Sequence, residues 1–381
     1  MLIEDWVEDG ERVCRELLRR EPLEIDSARA ARLLRGKRVC VTGGGGWIGS
    51  ALVRAIAKQG PEHITILDAS ERGLFEIDSG LRECGAEVRH ASVLGSVCER
   101  SFVRRVFEEH RPEIVYHAAA CKHVPLMEAN PLAAMASNAM GTRVVAEMSL
   151  RCGVEQVVMV STDKAADPLS IMGASKRIAE MVLLAMGTEA TRMKAVRLGN
   201  VFGSQGSVAP LFLRQIAEGG PMTVTHPDAR RYFVTLQETV GLLLLALSGA
   251  FGTGVLAPKL SGTVRIEELA KRMAQAHGGA ALAMEFTGLR PGEKMEERLI
   301  AEGETYLEDG VGPLYGVRSE GVTVEAMGAE LAELERCVRE QDLNGMMGVV
   351  RRLVPEYRAS ALLSEAAART SAERAYAEQQ A

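Results

Sequence analysis

Three short stretches hold residues whose types and spacing could do chemistry together. The first, Thr42-Gly43-Gly44-Gly45-Gly46-Trp47-Ile48-Gly49, has glycines at 43, 46 and 49. It follows a short apolar run, Arg38 to Thr42, and precedes a helically periodic one, Ser50 to Gln59. One glycine permits a tight turn, one lets backbone approach a pyrophosphate, and one lets helix pack closely on strand, with free amides at the helix start facing the anion. In that context the pattern points to a dinucleotide; a plain surface loop is the other reading of a glycine run. Nineteen residues beyond Gly49, Ile66-Leu67-Asp68 ends in a carboxylate suited to both ribose hydroxyls of an adenosine and repellent to a 2′-phosphate. NAD is favoured over NADP, although Asp68 equally suits a helix cap and Arg72 offers a phosphate a cation.

The other two stretches are Ser161-Thr162-Asp163-Lys164 and Met172-Gly173-Ala174-Ser175-Lys176. Ligands in open α/β sheets bind beyond the carboxyl ends of strands, so both should converge on a nicotinamide held by the glycine turn. Met172 and Lys176, four apart, share one helix face. Asp163-Lys164 lies at a strand end, where ligands bind, or reads more plainly as a surface ion pair. Met172 offers no proton chemistry, because a thioether is no base at neutral pH, and its default role is to fill a core.

These residues need a scaffold, and the apolar runs supply one. After Arg38 to Thr42 come Ile64 to Asp68, Val88 to Val93, Ile114 to Ala118, Val157 to Thr162 and Ala195 to Leu198, most separated by stretches long enough for a crossover helix. This alternation predicts an α/β protein with a doubly wound parallel sheet over 37–199, to which 235–258 returns. Residues 200–234 and 259–357, with a looser pattern, are assigned to a smaller C-terminal substrate-binding lobe. Residues 1–36, with Trp6, Val7, Val13, Leu17 and Leu18 at helical spacing, form a lead-in arm, and 358–381, rich in Ala, Glu and Ser, a mobile tail.

Composition narrows the class. With 381 residues, 47% apolar and 25% charged, the chain is a folded protein large enough for a substantial core. Its net charge of −6 argues against a surface that coats nucleic acid, and 4% aromatics against platforms that stack many rings. Seven scattered cysteines without a CxxC read as reduced thiols, and no metal site is expected. No signal peptide is visible, and the longest apolar stretch, Val240 to Leu247, is too short for a bilayer. A cytoplasmic protein without a membrane span follows as the expectation.

The sequence resembles the extended short-chain dehydrogenase/reductases and, more closely, the polysaccharide-biosynthesis branch containing the UDP-N-acetylglucosamine 4,6-dehydratases. The resemblance rests on ordered motifs: Arg20-Glu21-Pro22; Leu67-Asp68 with Ser70-Glu71; His117 to Glu128; Ser161 to Ala165; Met172 to Arg177; Arg197 to Val208; and Arg290-Pro291-Gly292-Glu293-Lys294. It implies a Rossmann sheet and removal of water from a UDP-sugar with NAD, or NADP, as cofactor. Members are often long membrane proteins, so the chain would correspond to their soluble catalytic part. Met172 stands where the wider family has a catalytic Tyr, and Ser92 where an acidic residue is common.

The family reaction oxidises the sugar at carbon 4, loses the carbon 5 proton and the carbon 6 hydroxyl, and returns the hydride to carbon 6. By resemblance Asp163 is the acid, Lys164 the carbon 5 base, Thr162 a hydrogen bond to the carbon 4 oxygen, and Lys176 the holder of the nicotinamide ribose. Lys164 must then be neutral, through burial or crowding by Lys176. The cofactor set comprises Gly43, Gly46, Trp47, Ile48, Gly49, Asp68, Ser92, Val93, Ala118, Ala119, Ala120, Asn138 and Lys176. Substrate falls to Lys122, His123, Met172, Asn200, Ser207, Val208, Arg231, Arg290, Glu293 and Lys294, with guanidinium forks matching phosphate oxygens. Glu128 is expected to line the same cleft. A UDP-sugar epimerase and a dinucleotide-binding regulator without turnover are the rival readings. A homo-oligomer is expected to pair through Val144, Val145, Met148, Ile178, Met181, Val182 and Leu184, which serve a core equally well.

Overall fold

Strand runs that are apolar on both faces need cover on both faces, and the chain provides it. The computed structural model describes residues 3–26, 32–83, 88–277, 282–318 and 324–369. Among them nine strands form the central sheet: β1 (Arg38–Thr42), β2 (His63–Asp68), β3 (His90–Leu94), β4 (Ile114–His117), β5 (Gln156–Thr162), β6 (Arg192–Leu198), β7 (Gly254–Pro258), β8 (Thr305–Val311) and β9 (Leu314–Arg318). Their order is β8-β9-β7-β6-β5-β4-β1-β2-β3. Pairing is parallel from β3 to β7 and antiparallel where β9 meets β7 and β8. The order reverses between β1 and β4, which opens a crevice beyond their carboxyl ends.

The helices are α1 (Trp47–Ala57), α2 (Glu71–Glu83), α3 (Arg100–His110), α4 (Gly141–Arg151), α5 (Ile171–Met186), α6 (Val208–Ala217), α7 (Leu236–Leu245), α8 (Ile266–Ala276), α9 (Val324–Arg339) and α10 (Leu343–Leu353). Val39 and Val41 of β1 pack with Leu52, Ile56, Ile77 and Leu242 on one face of the sheet. Cys40 between them packs with Val103, Phe107 and Val145 on the other. The alternation within one strand therefore builds both cores.

Above the sheet lies a lobe made of α6, α8 and short strand pairs, with Phe202, Phe212, Met222, Phe233 and Met273 inside. The expected arm belongs to it: Trp6, Val13, Leu17 and Leu18 are buried in that same cluster. Arg20 holds the arm to α7 through a buried ion pair with Glu238, whose carboxylate also completes the α7 capping box with Thr235. Residues 27–31 of the expected arm lie outside the described residues.

Three expectations differ from the structure. Residues 305–318 leave the lobe and extend the main sheet as the β8–β9 hairpin, because β7 would otherwise expose a row of unpaired backbone groups. The apolar face expected to pair two copies is covered within the chain. Val144, Val145 and Met148 lie in the sheet core, while Ile178, Met181 and Val182 lie under Met327, Leu331, Leu334, Met347 and Val350 of α9 and α10. Nor does the chain fray from 358: residues 361–369 are helical, with Leu363 buried in that second cluster. Residues 370–381 lie outside the described residues.

One polar network fixes the carboxyl end of the sheet. Arg197 of β6, fully buried, donates to both oxygens of Glu180 on α5 (2.9 and 2.8 Å) and to Glu304 (3.1 Å). Ser161 of β5 donates to the same Glu180 (2.6 Å). Burial alone would raise the Glu180 carboxyl, but Arg197 holds it below the usual range. Glu180→Ala leaves a buried guanidinium partly unpaired, and is expected to lower unfolding stability by about 3 kcal/mol in urea titration. A loss within the noise of a surface substitution would mean that the network carries no stability.

Candidate active site

The glycine turn is tight because its backbone touches itself and β4. Gly43 has φ +70°, and a Cβ there would lie 2.5 Å from the Ala119 amide nitrogen. A Cβ on Gly49 would lie 1.9 Å from the Gly43 carbonyl, so α1 can start this close to β1 only with glycine. Asp68 at the end of β2 accepts from the amides of Gly45 (2.9 Å) and Ser70 (2.8 Å), which locks the turn to the next strand. Arg72 turns away and pairs with Glu76 (2.7 Å).

From this turn a cleft of about 890 Å³ runs between sheet and lobe. Gly43, Gly46, Trp47, Ile48, Gly49, Ala118, Ala120, Lys122, His123, Thr162, Lys164, Met172, Lys176, Asn200, Ser207, Val208, Arg231, Arg290 and Glu293 all line it. The Trp47 indole nitrogen and the Ser207 hydroxyl are buried there without hydrogen-bond partners among the described residues. Ser207 starts α6, so its hydroxyl and the helix amides present one donor-rich end to the cleft.

Other expected residues stand outside the lining. Ser92 donates to Asp78 (2.8 Å) beside a separate hollow edged by Phe75 and Arg82, and Val93 and Ala119 pack against the sheet core. Asn138 is buried, binding both backbone groups of Cys121 and the hydroxyl of Ser175, so it ties the β4 loop to α5. Lys294 points back into the protein and donates to the Ala166 carbonyl (2.7 Å). Glu128, expected in the cleft, is buried: it accepts from the Ile171 amide (2.7 Å) at the start of α5, is held by Ser360, and abuts Gly292. Cys121, Arg214, Thr223, Thr225 and Glu297 line the cleft without having been expected. Glu297 stood beside an expected pair, Glu293 and Lys294, yet only the fold shows which way each turns.

At the end of β5, Thr162 donates to Asp163 Oδ1 (2.9 Å), and Lys164 Nζ donates to the same oxygen (2.8 Å) and to Asn200 (3.1 Å). Asp163 is fully buried, and its Oδ2 has no hydrogen-bond partner among the described residues. Burial raises its carboxyl, Lys164 pulls the other way, and Glu297 adds to the rise. The expected neutral Lys164 is not found. Burial would lower its ammonium, but Asp163 and Glu297 outweigh burial and raise it, with Arg231 pulling the other way. Lys176 is instead the depressed amine, pushed down to about 8 by burial against partial support from Glu180. Met172 is nearly buried, packed under α5's neighbours with its side chain facing the cleft.

The fold is that of the short-chain dehydrogenase/reductase type, to which solved nucleotide-sugar dehydratases and epimerases also belong. The chain belongs to the polysaccharide biosynthesis protein family, which matches residues 39–318. It is similar to the capsular polysaccharide biosynthesis protein CapD of Staphylococcus aureus, 43% identical over 76% of this chain and 49% of that protein. The chain thus spans about half the length of that relative. It is similar also to a UDP-N-acetylglucosamine 4,6-dehydratase (inverting) of Campylobacter jejuni, 30% identical over 72% of this chain and 80% of that one. Among solved structures, a Thermus thermophilus UDP-glucose 4-epimerase complexed with NAD aligns with a TM-score of 0.60 at 25% identity, over 68% of this chain and 89% of that one. No helix among the described residues is long and apolar enough to cross a membrane.

Below the cleft, His117 of β4 is buried between Thr42 (2.7 Å) and Thr142 (3.0 Å), and burial, with Lys176, pushes its imidazole down to about 3. The unfolded chain binds a proton near pH 6.5 that the folded one refuses, so stability is full above about 6.5 and declines as pH falls toward 3. The slope is about 1.4 kcal/mol per pH unit. In urea titrations, His117→Gln is expected to remove about 2 kcal/mol of the loss between about pH 6.5 and about pH 5. An unchanged slope would show that His117 is not protonated on unfolding.

Proposed function

We propose that the protein dehydrates a UDP-hexosamine, with UDP-N-acetylglucosamine as the best-supported sugar, to a UDP-4-keto-6-deoxy sugar used in surface polysaccharide biosynthesis. The observation that carries this reading is the hydrogen-bonded Thr162-Asp163-Lys164 set, whose Thr162 and Lys164 line the cleft together with Lys176. The site fits a dinucleotide: the turn at Gly43 and Gly49 leaves no room for side chains, and the α1 amides open onto the cleft. Asp68, with Arg72 turned away to Glu76, favours NAD over NADP. When bound, NAD supplies reversible acceptance of hydride from the sugar. Lys176 would orient its ribose, and the start of α6 with Ser207, Arg231 and Arg290 would receive the diphosphate and uridine ribose.

The protein's own groups handle the protons. The carbon 4 hydroxyl gives its proton to Thr162 Oγ1 as Thr162 passes its own to Asp163, across the 2.9 Å bond between them. This route replaces the phenol that Met172 lacks. Asp163, now a carboxylic acid, protonates the hydroxyl leaving carbon 6, and Lys164 removes the carbon 5 proton and later returns one. An epimerase needs no acid at carbon 6, so a buried carboxyl with a raised proton affinity favours elimination.

Incubation with UDP-sugars is expected to give a product lighter by one water in mass spectrometry, with solvent deuterium at carbon 5. An isomer of unchanged mass would indicate epimerisation instead. Lys164→Ala and Asp163→Asn should each cut water loss by a factor on the order of 100 or more, and wild-type rates in both would overturn the assigned roles. Asp68→Ala is expected to weaken NAD more than NADP in direct binding titrations; equal weakening would count against its ribose contact.

A further inference from the structure

Lys164 enters the proposed reaction with one proton too many. A proton can leave carbon 5 only for a neutral amine, and the resting site holds Lys164 as an ammonium. Asp163 lies closest, at 2.8 Å, but it ends the Thr162 route and is already protonated when carbon 5 must react. A second acceptor is needed. The side chain of Glu297 is 3% exposed, reaches the cleft, and places Oε1 3.9 Å from Lys164 Nζ. Its Oε2 is buried without a hydrogen bond among the described residues, although Lys294 Nζ lies 3.2 Å away. Lys294 in turn is fixed to the Ala166 carbonyl, two residues beyond Lys164, so the carboxylate is anchored to the catalytic turn itself.

We propose that Glu297 is the proton store of Lys164, a positioning residue that takes the ammonium proton before carbon 5 reacts and returns it afterwards. The inference rests on the dehydratase reading. An N–H bond of Lys164 breaks and an O–H bond of Glu297 forms, through a shift of about 1 Å or one bridging water, with no change in oxidation state. Lys164 then accepts the carbon 5 proton while Asp163 gives its own to the departing hydroxyl. When carbon 5 is reprotonated by Lys164, Glu297 hands back the stored proton. The carbon 4 hydroxyl proton leaves in the water, and all three groups end as they began. Among the described residues, the other charged groups that act on the pair are Asp163, with Tyr232 beside it, Lys294, and Arg231 paired with Glu293. All remain in the variants below.

Without the store, Lys164 must release its proton to solvent. Glu297→Gln is therefore expected to lower kcat about 100-fold near pH 7 with KM little changed, and to make kcat climb about tenfold per pH unit where the wild type is flat. Glu297→Asp keeps the carboxylate and should recover part of kcat with the flat profile. A second readout needs no turnover: in reductively 13C-methylated protein, the Lys164 signal, assigned by its loss in Lys164→Arg, should titrate at lower pH in Glu297→Gln than in wild type. A wild-type pH profile with only KM raised would make Glu297 a structural ion pair, an unmoved Lys164 titration would show that the two groups are not coupled, and either would overturn the proposal. A wild type that removes no water from any UDP-hexosamine would overturn the dehydratase reading instead, and the titration would still decide the coupling of Glu297 to Lys164.

Discussion

A guanidinium sealed from water is the constraint around which the rest of the site is arranged. Arg197 can stay charged inside the protein only if carboxylates meet it with good geometry, and Glu180 and Glu304 do so from two different segments. Because Glu180 also accepts from Ser161, the helix that carries Met172 and Lys176 is registered against the strand end that carries Thr162 and Asp163. A shift of α5 along the sheet would break three bonds to the buried Glu180 carboxylate, two from Arg197 and one from Ser161. Glu180 also lies one helical turn from Lys176, where its charge opposes the burial that depresses that amine.

A second theme is how few charges face the reacting region and how tightly they are coupled. Asp163, Lys164 and Glu297 form a line of alternating sign under a cleft wall, with Lys294 and its backbone anchor at the far end. In low dielectric each proton affinity depends on its neighbour's charge, so moving one proton changes the readiness of the next group. Met172 stands beside this line as an apolar wall, on a helix whose next residue, Gly173, packs against the Lys164 carbonyl.

The lobe is held to the sheet by devices remote from the chemistry. Glu128 joins the start of α5, the Gly292 turn and Ser360, three segments far apart in the chain. Arg20 and Glu238 do the same for the amino-terminal arm, whose Trp6 and Leu17 fill the core beneath α6. Helices α9 and α10 cap α5 from outside, so the helix bearing Lys176 is covered along its length by its own chain.

The sheet and glycine turn were legible in the sequence because their signals are local. Apolar runs of strand length recur at crossover spacing, and Gly43 and Gly49 are needed wherever a helix starts that close to a strand. Thr162, Asp163, Lys164 and Lys176 could be placed at strand end and helix face for the same reason. Side-chain direction and charge state were not local. Whether Glu128, Lys294 or Glu297 faced the cleft depended on contacts across more than a hundred residues, and an apolar stripe such as Ile178, Met181 and Val182 reads alike whether a second copy or the chain's own α9 and α10 covers it. The sequence determined the fold class, the glycine turn and the place of Thr162 to Lys164 at a strand end. Only the tertiary structure decided that Lys164 rests charged, because its proton affinity is set by Asp163 beside it and by Glu297, which the fold brings back from 133 positions away.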